Sequence, residues 1–405
     1  MSDQSSSRPL HGRWLVPVSL VAACLLGAVI LTLFLFWFTN WSPAEQVAID
    51  QLTSEGRGGG YVDYDWELAQ WSDQEGPPGN FVMKALLGED YASHAVTVDT
   101  YGRSAEMLAT TLIHLRKLQT IDLQDCEFNE DVARILADLP ELQTIRFARM
   151  SPSAECLAIL AQATRVRELG LLDTQVTDAQ LAAIGEFSSL KEIFIVESTG
   201  TDEGLSKLGQ LRSLEYLTIH KMPQITDEGV AHLKNLTKLK TMLLPMSQVT
   251  GRSLEIVTQM PDLESLEMTC LPSEQDATLA TSEIWPQVPT LSSIYLDAPC
   301  INDEDLATMA KMPNLSDLYL ANPSITDRGV AKLAHAPELF SLTLLGTHIS
   351  DKGIRPLAQA PELFFIEVSS DRKIRLKTVG QAEVEYERFF PKGPQPHLHS
   401  PYEDW

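Results

Sequence analysis

Two tyrosines spaced 24 residues apart, Tyr295 and Tyr319, stand in a region that also carries the carboxylates Glu168, Glu192, Glu267, Asp317 and Glu367. Residues of these types suit recognition: large rings anchor a partner, and carboxylates pair with its basic groups. Phe194, Tyr216 and His220 extend the set, and Arg146 and His220 are the minor exceptions to its acidity. Catalysis has no comparable signature. GxSxG, HExxH, a Walker loop and GxGxxG are absent, and the nine histidines form no triad-like set with Ser and Asp. "GRGGG" at 56–60 lacks the GK[ST] ending of a phosphate loop. Cys126, Cys156, Cys270 and Cys300 show no CxxC or His pairing of metal-site type, so neither metal nor cofactor is expected. Cys270 and Cys300 fall near equivalent places in adjacent units and could pair as a disulfide; buried thiols are the other reading.

What positions these residues is a repeat. The phrase "QITDEGVAHLKNL" at 224–236 returns as "SITDRGVAKLAHA" at 324–336 and "HISDKGIRPLAQA" at 348–360. Marker residues at 118, 142, 166, 190, 214, 239, 263, 291, 315, 339 and 363 are separated by 24 residues, apart from one interval of 25 and one of 28. Each unit opens with period-two alternation, as in "LQTIDL" at 118–123 and "LSDLYL" at 315–320, which predicts a strand. Apolar residues spaced by three and four follow, as with Val230 and Leu233, and predict a short helix. "TD" or "SD" stands between them, and its short oxygen-bearing side chains are expected to accept from the free amides of the first helical turn, with Asp178, Asp227, Asp327 and Asp351 at this place.

A strand, turn, short helix and turn in 24 residues resembles the leucine-rich repeat, in its "TDxGL" subtype, over residues 94–370. The resemblance implies an α/β solenoid, a horseshoe with a parallel concave sheet and short convex helices. It also implies a binding module, since such proteins present the concave sheet to a partner. The asparagine that usually closes the strand turn is replaced here by Cys126, Thr174, Ser198, Ser247, Pro299, Pro323 and Thr347. Alternation turns Glu168, Glu192, Phe194, Tyr216, Glu267, Tyr295, Asp317 and Tyr319 onto the concave side. Tyr295 with Tyr319 should lie side by side, and Phe194 with Tyr216 should form a second aromatic patch. A cross-strand pair that only stiffens the sheet is the alternative for the tyrosines. The "TCLPSEQDATLATSEIW" stretch at 269–285 fills the 28-residue interval and is either a specificity loop or a tolerated insertion.

Composition bears on the partner. Against 31 basic residues the chain carries 55 acidic ones, a net charge of −24 that would repel a phosphate backbone, so no nucleic acid is expected. The implied partner is a protein or peptide of basic or polar character. Residues 14–38, "WLVPVSLVAACLLGAVILTLFLFWF", are 25 positions without a charge. As a helix they would span about 37 Å against a hydrocarbon core of roughly 30 Å. Arg8 and Arg13 before the run and Glu45, Asp50 and Glu55 after it predict a single-pass cell-membrane protein with its N-terminus cytoplasmic and its repeats extracytoplasmic. The expected order is therefore a cytoplasmic tail at 1–13, the span at 14–38, a juxtamembrane linker and cap region at 39–93, the repeats at 94–370, a capping hairpin at 371–390 and a proline-rich tail at 391–405. "YDW", "PPG" and "LLGEDY" in the juxtamembrane region resemble a group of bacterial membrane-anchored leucine-rich repeat proteins. A binding protein is the leading expectation, a structural or adhesive envelope component the second, and an enzyme the third.

Overall fold

The computed structural model describes residues 43–53, 61–64, 95–273, 280–321, 324–347, 349–368, 372–376 and 384–387. The predicted span at 14–38 and the tail at 391–405 lie outside the described residues. Among those described, no helix is long and apolar enough to cross a membrane.

Alternating side chains make the strands. In Thr120–Gln124, Ile121 and Leu123 are fully buried while Thr120, Asp122 and Gln124 are half-exposed. Among the described residues fifteen strands follow one another in a single sheet in chain order. They are β1 (Tyr61–Tyr64), β2 (Ala95–Tyr101), β3 (Thr120–Gln124), β4 (Thr144–Ala148), β5 (Glu168–Val176), β6 (Glu192–Ser198), β7 (Tyr216–Lys221), β8 (Thr241–Val249), β9 (Ser265–Cys270), β10 (Ser293–Asp297), β11 (Asp317–Ala321), β12 (Ser341–Leu345), β13 (Phe365–Val368), β14 (Arg372–Leu376) and β15 (Val384–Glu387). From β2 to β13 neighbours are parallel, and α or 3₁₀ turns return the chain from each strand to the next. β1 is antiparallel to β2, and β14 and β15 close the other end antiparallel. This arrangement, a parallel sheet with interleaved helical turns, fits a leucine-rich repeat solenoid. No unit covers its own apolar residues; Leu118, Leu214 and Leu315, each 0% exposed, form one buried row only because the next coil lies over them.

In the "TD" pair the first residue makes the expected cap and the aspartate has another role. Thr201, Thr226 and Thr326 are the helix N-caps, their hydroxyls accepting from the amides of Glu203, Glu228 and Arg328. The aspartate one residue later reaches into the following coil. Asp202 accepts from Thr226 N–H at 2.9 Å and Thr226 Oγ1–H at 2.6 Å. Asp178, Asp227, Asp303 and Asp327 make the same pair of bonds to Thr201, Thr250, Thr326 and Ser350. Asp178 also accepts from Gly204 N–H at 3.1 Å. A carboxylate at the first helical position is therefore a clamp between coils, and it explains the glycine of the motif. A Cβ at Gly229 would stand 2.1 Å from Asp202 Oδ1, and at Gly329 2.3 Å from Asp303 Oδ1. Glycine occurs at this place where the preceding coil supplies the aspartate. At the corresponding place after Asp227, Ser253 donates to it at 2.5 Å. Where the preceding coil has no aspartate, Gln180 reaches back to Ser151 and Pro152, and the fully buried Asp305 reaches back to Trp285 Nε1–H at 2.9 Å.

Hydroxyl and thiol groups replace the missing turn asparagine. Ser198 Oγ–H donates to Val176 O at 2.8 Å and accepts from Gly200 N–H, while Cys126 Sγ accepts from Arg103 N–H. Cys126, Cys156, Cys270 and Cys300 are buried thiols, and Cys270 and Cys300 are not joined.

Counting back 25 residues from Ile121 and Leu123 predicts Val96 and Val98 as the strand pair of a degenerate first unit, and the register differs. Val98 and Thr100, not Val96 and Val98, stand beside Ile121 and Leu123. Thr100 occupies a leucine's place with its hydroxyl 3.4 Å from Asp122 O, so a buried polar residue hid the register. The helix Pro43–Thr53 covers this end, buries Ile49 and Leu52, and ties on through Glu45, which accepts from Ala95 N–H, and Leu52 O, which accepts from Arg103 Nη2 at 2.6 Å.

Candidate functional site

On the helix-free face, the concave side of such a coil, two rows of side chains run across the strands about 4.8 Å apart. In register, one row reads Asp99, Asp122, Arg146, Gly170, Phe194, Thr218, Leu243, Glu267, Tyr295, Tyr319, Thr343 and Glu367. The other includes Thr144, Glu168, Glu192, Tyr216, Thr241, Ser265, Ser293 and Asp317. Because the register equals the repeat length, residues one repeat apart become neighbours.

Tyr295 and Tyr319 are such neighbours. Their rings stack with centroids 6.0 Å apart and planes at 29°. Glu267 precedes the pair on the adjacent strand and burial pushes its carboxyl above the usual range. The Tyr319 phenol is raised by burial first and then by Asp297, Glu267 and Glu367. The patch therefore combines half-buried aromatic surface with a negative field.

A second site lies nearer the N-terminal end. Gly170 interrupts the row with no side chain, leaving a hollow of about 450 Å³ between Arg146 and Phe194. Arg146 Nη2 and Nε donate to Glu168 Oε1 at 2.5 and 3.1 Å, and Nη1 to Asp122 Oδ1 at 3.4 Å. Asp99 and Glu192 complete the acidic lining, and Ala148 and Leu172 give it an apolar side. Among the described residues neither Asp99 nor Glu192 has an ion-pair partner. Burial raises the carboxyls of Asp99, Asp122 and Glu192; Arg146 opposes it at Asp122 and Glu192 without cancelling it. No group of His, Cys, Asp and Glu among the described residues is arranged to hold a metal ion.

No protein-family model matches the chain, and no curated protein matches its sequence. Solved structures overlay on it more broadly. An internalin of Listeria monocytogenes aligns over 71% of this chain and 93% of its own at 14% identity and a TM-score of 0.46. A chain of the yeast Rad7 and Elc1 complex aligns over 65% of this chain and 77% of its own at 19% identity and a TM-score of 0.42. A Leptospira interrogans leucine-rich repeat protein covers 63% and 79% at 17% identity and 0.37. All three scores are below 0.5, so the fold assignment rests on the coil geometry above and nothing about partners is carried over.

The expected residues are distributed as follows. Glu168, Glu192 and Tyr216 are consecutive in one row, and Glu267, Tyr295 and Tyr319 in the other. Asp317 stands beside Ser293 and accepts from Ser316 Oγ–H at 2.7 Å. The expected Phe194 and Tyr216 patch divides. Phe194 packs edge-on against His220 at 5.4 Å, while Tyr216 lies under the Lys240 ammonium at 5.9 Å. Tyr216 sits beside Glu192 in register, diagonal to Phe194, and the Phe194 ring turns toward His220 on its other diagonal. The central role of Arg146 and the hollow at Gly170 were missed, although a glycine among large concave residues was a visible signal. So was the repeated "ELF", which places Phe340 and Phe364 in an exposed parallel stack at 5.4 Å.

Proposed function

We propose that this chain is a membrane-anchored, extracytoplasmic leucine-rich repeat protein that binds a basic or polar protein or peptide through its concave face. The observation that carries the reading is the Tyr295–Tyr319 stack, set on the open face of the sheet beside Glu267, whose carboxyl is raised by burial. Stacked aromatics supply contact area at low entropy cost, and surrounding charge steers a partner of opposite sign. The uncharged run at 14–38 and the charge bias around it support the anchor and its orientation.

The test is capture from membranes by the full chain and by a Tyr295→Ala/Tyr319→Ala variant whose melting curve matches the parent. The reading expects one specific polypeptide to be lost with the tyrosines; equal capture refutes it. Labelling of cysteines introduced at Ser5 and Ser206 in intact cells tests the topology, with only the second expected to react. A structural or adhesive role is the second reading, favoured by the Phe340–Phe364 stack just ahead of β12 and β13, each ring about half exposed. Phe340→Ser/Phe364→Ser would then abolish lateral assembly and leave capture unchanged.

A further inference from the structure

The concave face is not uniformly acidic, and its most enclosed part has a mixed lining. At Gly170 the hollow is bounded by Glu168 and Glu192 on one side, Ala148 and Leu172 on the other, and the Phe194 ring at the end. Such a lining matches a side chain that is aliphatic along its stem and cationic at its tip, because the stem packs on apolar surface while the head meets carboxylate or ring face. Charge adds to shape. Four carboxylates, Asp99, Asp122, Glu168 and Glu192, surround one internal cation, Arg146, which is engaged with Asp122 and Glu168. The remaining demand for positive charge sits at Asp99 and Glu192, at opposite ends of the hollow. These carboxylates stand four strands apart with Arg146 between them, too far for one compact metal ion to bridge, and Glu192, on the strand next to Gly170, is the one that a side chain entering the hollow meets.

We propose that the hollow over Gly170 receives a lysine or arginine side chain from an extended stretch of the polypeptide partner. The inference rests on the concave-face reading and adds a second anchor, five strands from the Tyr295–Tyr319 stack. It also gives the glycine a purpose. Its backbone is ordinary, and a Cβ there would come no nearer than 3.1 Å to the flexible Cγ of Arg146, so folding alone does not demand a glycine. Binding has a proton signature as well. The groups facing the hollow are Asp99, Asp122, Arg146, Glu168 and Glu192, with His220 beyond Phe194. A cation entering would favour the ionised forms of the carboxylates Asp99, Asp122 and Glu192, so affinity should rise as pH rises through the carboxylate range.

The probe is a fluorescent twelve-residue peptide of lysine, serine and glycine, titrated by anisotropy into the full-length chain in detergent, with the fully lysine-acetylated peptide as control. Binding of the lysine form is expected to be saturable and about tenfold tighter than that of the acetylated form. Gly170→Leu, which fills the hollow, and Glu192→Gln, which keeps its shape, should each weaken it about five- to tenfold. Glu141→Gln, an equal charge change at the Lys117 ion pair, should leave it unchanged. Absence of saturable binding, equal binding of the acetylated peptide, wild-type affinity in Gly170→Leu and Glu192→Gln, or an equal loss in Glu141→Gln would each overturn the proposal. If Tyr295→Ala/Tyr319→Ala weakens the peptide and the hollow variants do not, this inference fails while the concave-face reading stands. If neither set matters, both fail.

Discussion

Replacing Asp202 and Gly229 by alanine, singly and together, isolates the clamp that joins successive coils. Asp202→Ala removes two bonds to a charged acceptor, at 2.9 and 2.6 Å. Bonds to charged groups contribute about 1.5–3 kcal/mol each when enclosed. These lie at the surface, where water replaces much of the loss, so the expected cost is about 1–2 kcal/mol for the pair. Gly229→Ala places a methyl 2.1 Å from Asp202 Oδ1 and forces the carboxylate out, breaking the same bonds from the other side. That strain outweighs the roughly 1 kcal/mol by which alanine is the better helix former. In the double variant the carboxylate is gone and only the Asp202 Cα, 3.1 Å from the new Cβ, has to yield by a few tenths of an ångström. The helical preference then returns. The double variant should therefore be no less stable than Asp202→Ala alone, and the cycle should show a coupling of about 1–2 kcal/mol. Urea denaturation followed by far-ultraviolet circular dichroism measures all four proteins. Additive losses, with the double variant the least stable, would refute the clamp and leave the glycine without its explanation.

Two further outcomes concern charge. Glu215 accepts from Lys191 and Lys240, which lower its carboxyl to about 2 from 4.5. A folded pKa below the unfolded one stabilises above the unfolded value, and that stability is lost as pH falls through the window down to about 2. Glu215→Gln should accordingly flatten urea midpoints measured between these limits, with a small effect at neutral pH because the pair is on the surface. Glu267 has the opposite sign: burial raises its carboxyl, so the charged form weakens the fold and the penalty disappears as pH falls through the raised value. Glu267→Gln should raise the melting temperature at pH 7 and leave it unchanged below the carboxylate range; a fall at pH 7 would show an attractive partner for the carboxylate.

The coil itself was legible because one burial requirement recurs every 24 residues, and a parallel register equal to that period puts Tyr295 beside Tyr319 without further information. What escaped the sequence reading depends on geometry that spacing does not carry. Thr100 fills a leucine's place by bonding its hydroxyl, so the first register slipped by two. The aspartates were read as acting on their own helices because the distance to the next coil's Thr is invisible along the chain. The Phe194 ring had two diagonal neighbours, Tyr216 and His220, and only packing chose between them. The hollow is defined by an atom that glycine does not have.

The most direct measurement places a photo-crosslinking residue at Thr218 or Thr343 on the concave rows and, for comparison, at Ser206 or Lys332 on the helical side, in the full chain expressed in cells. Binding through the sheet predicts one polypeptide adduct from the first two positions and none from the second two. Adducts formed equally from the helical side, or from neither side, would contradict it.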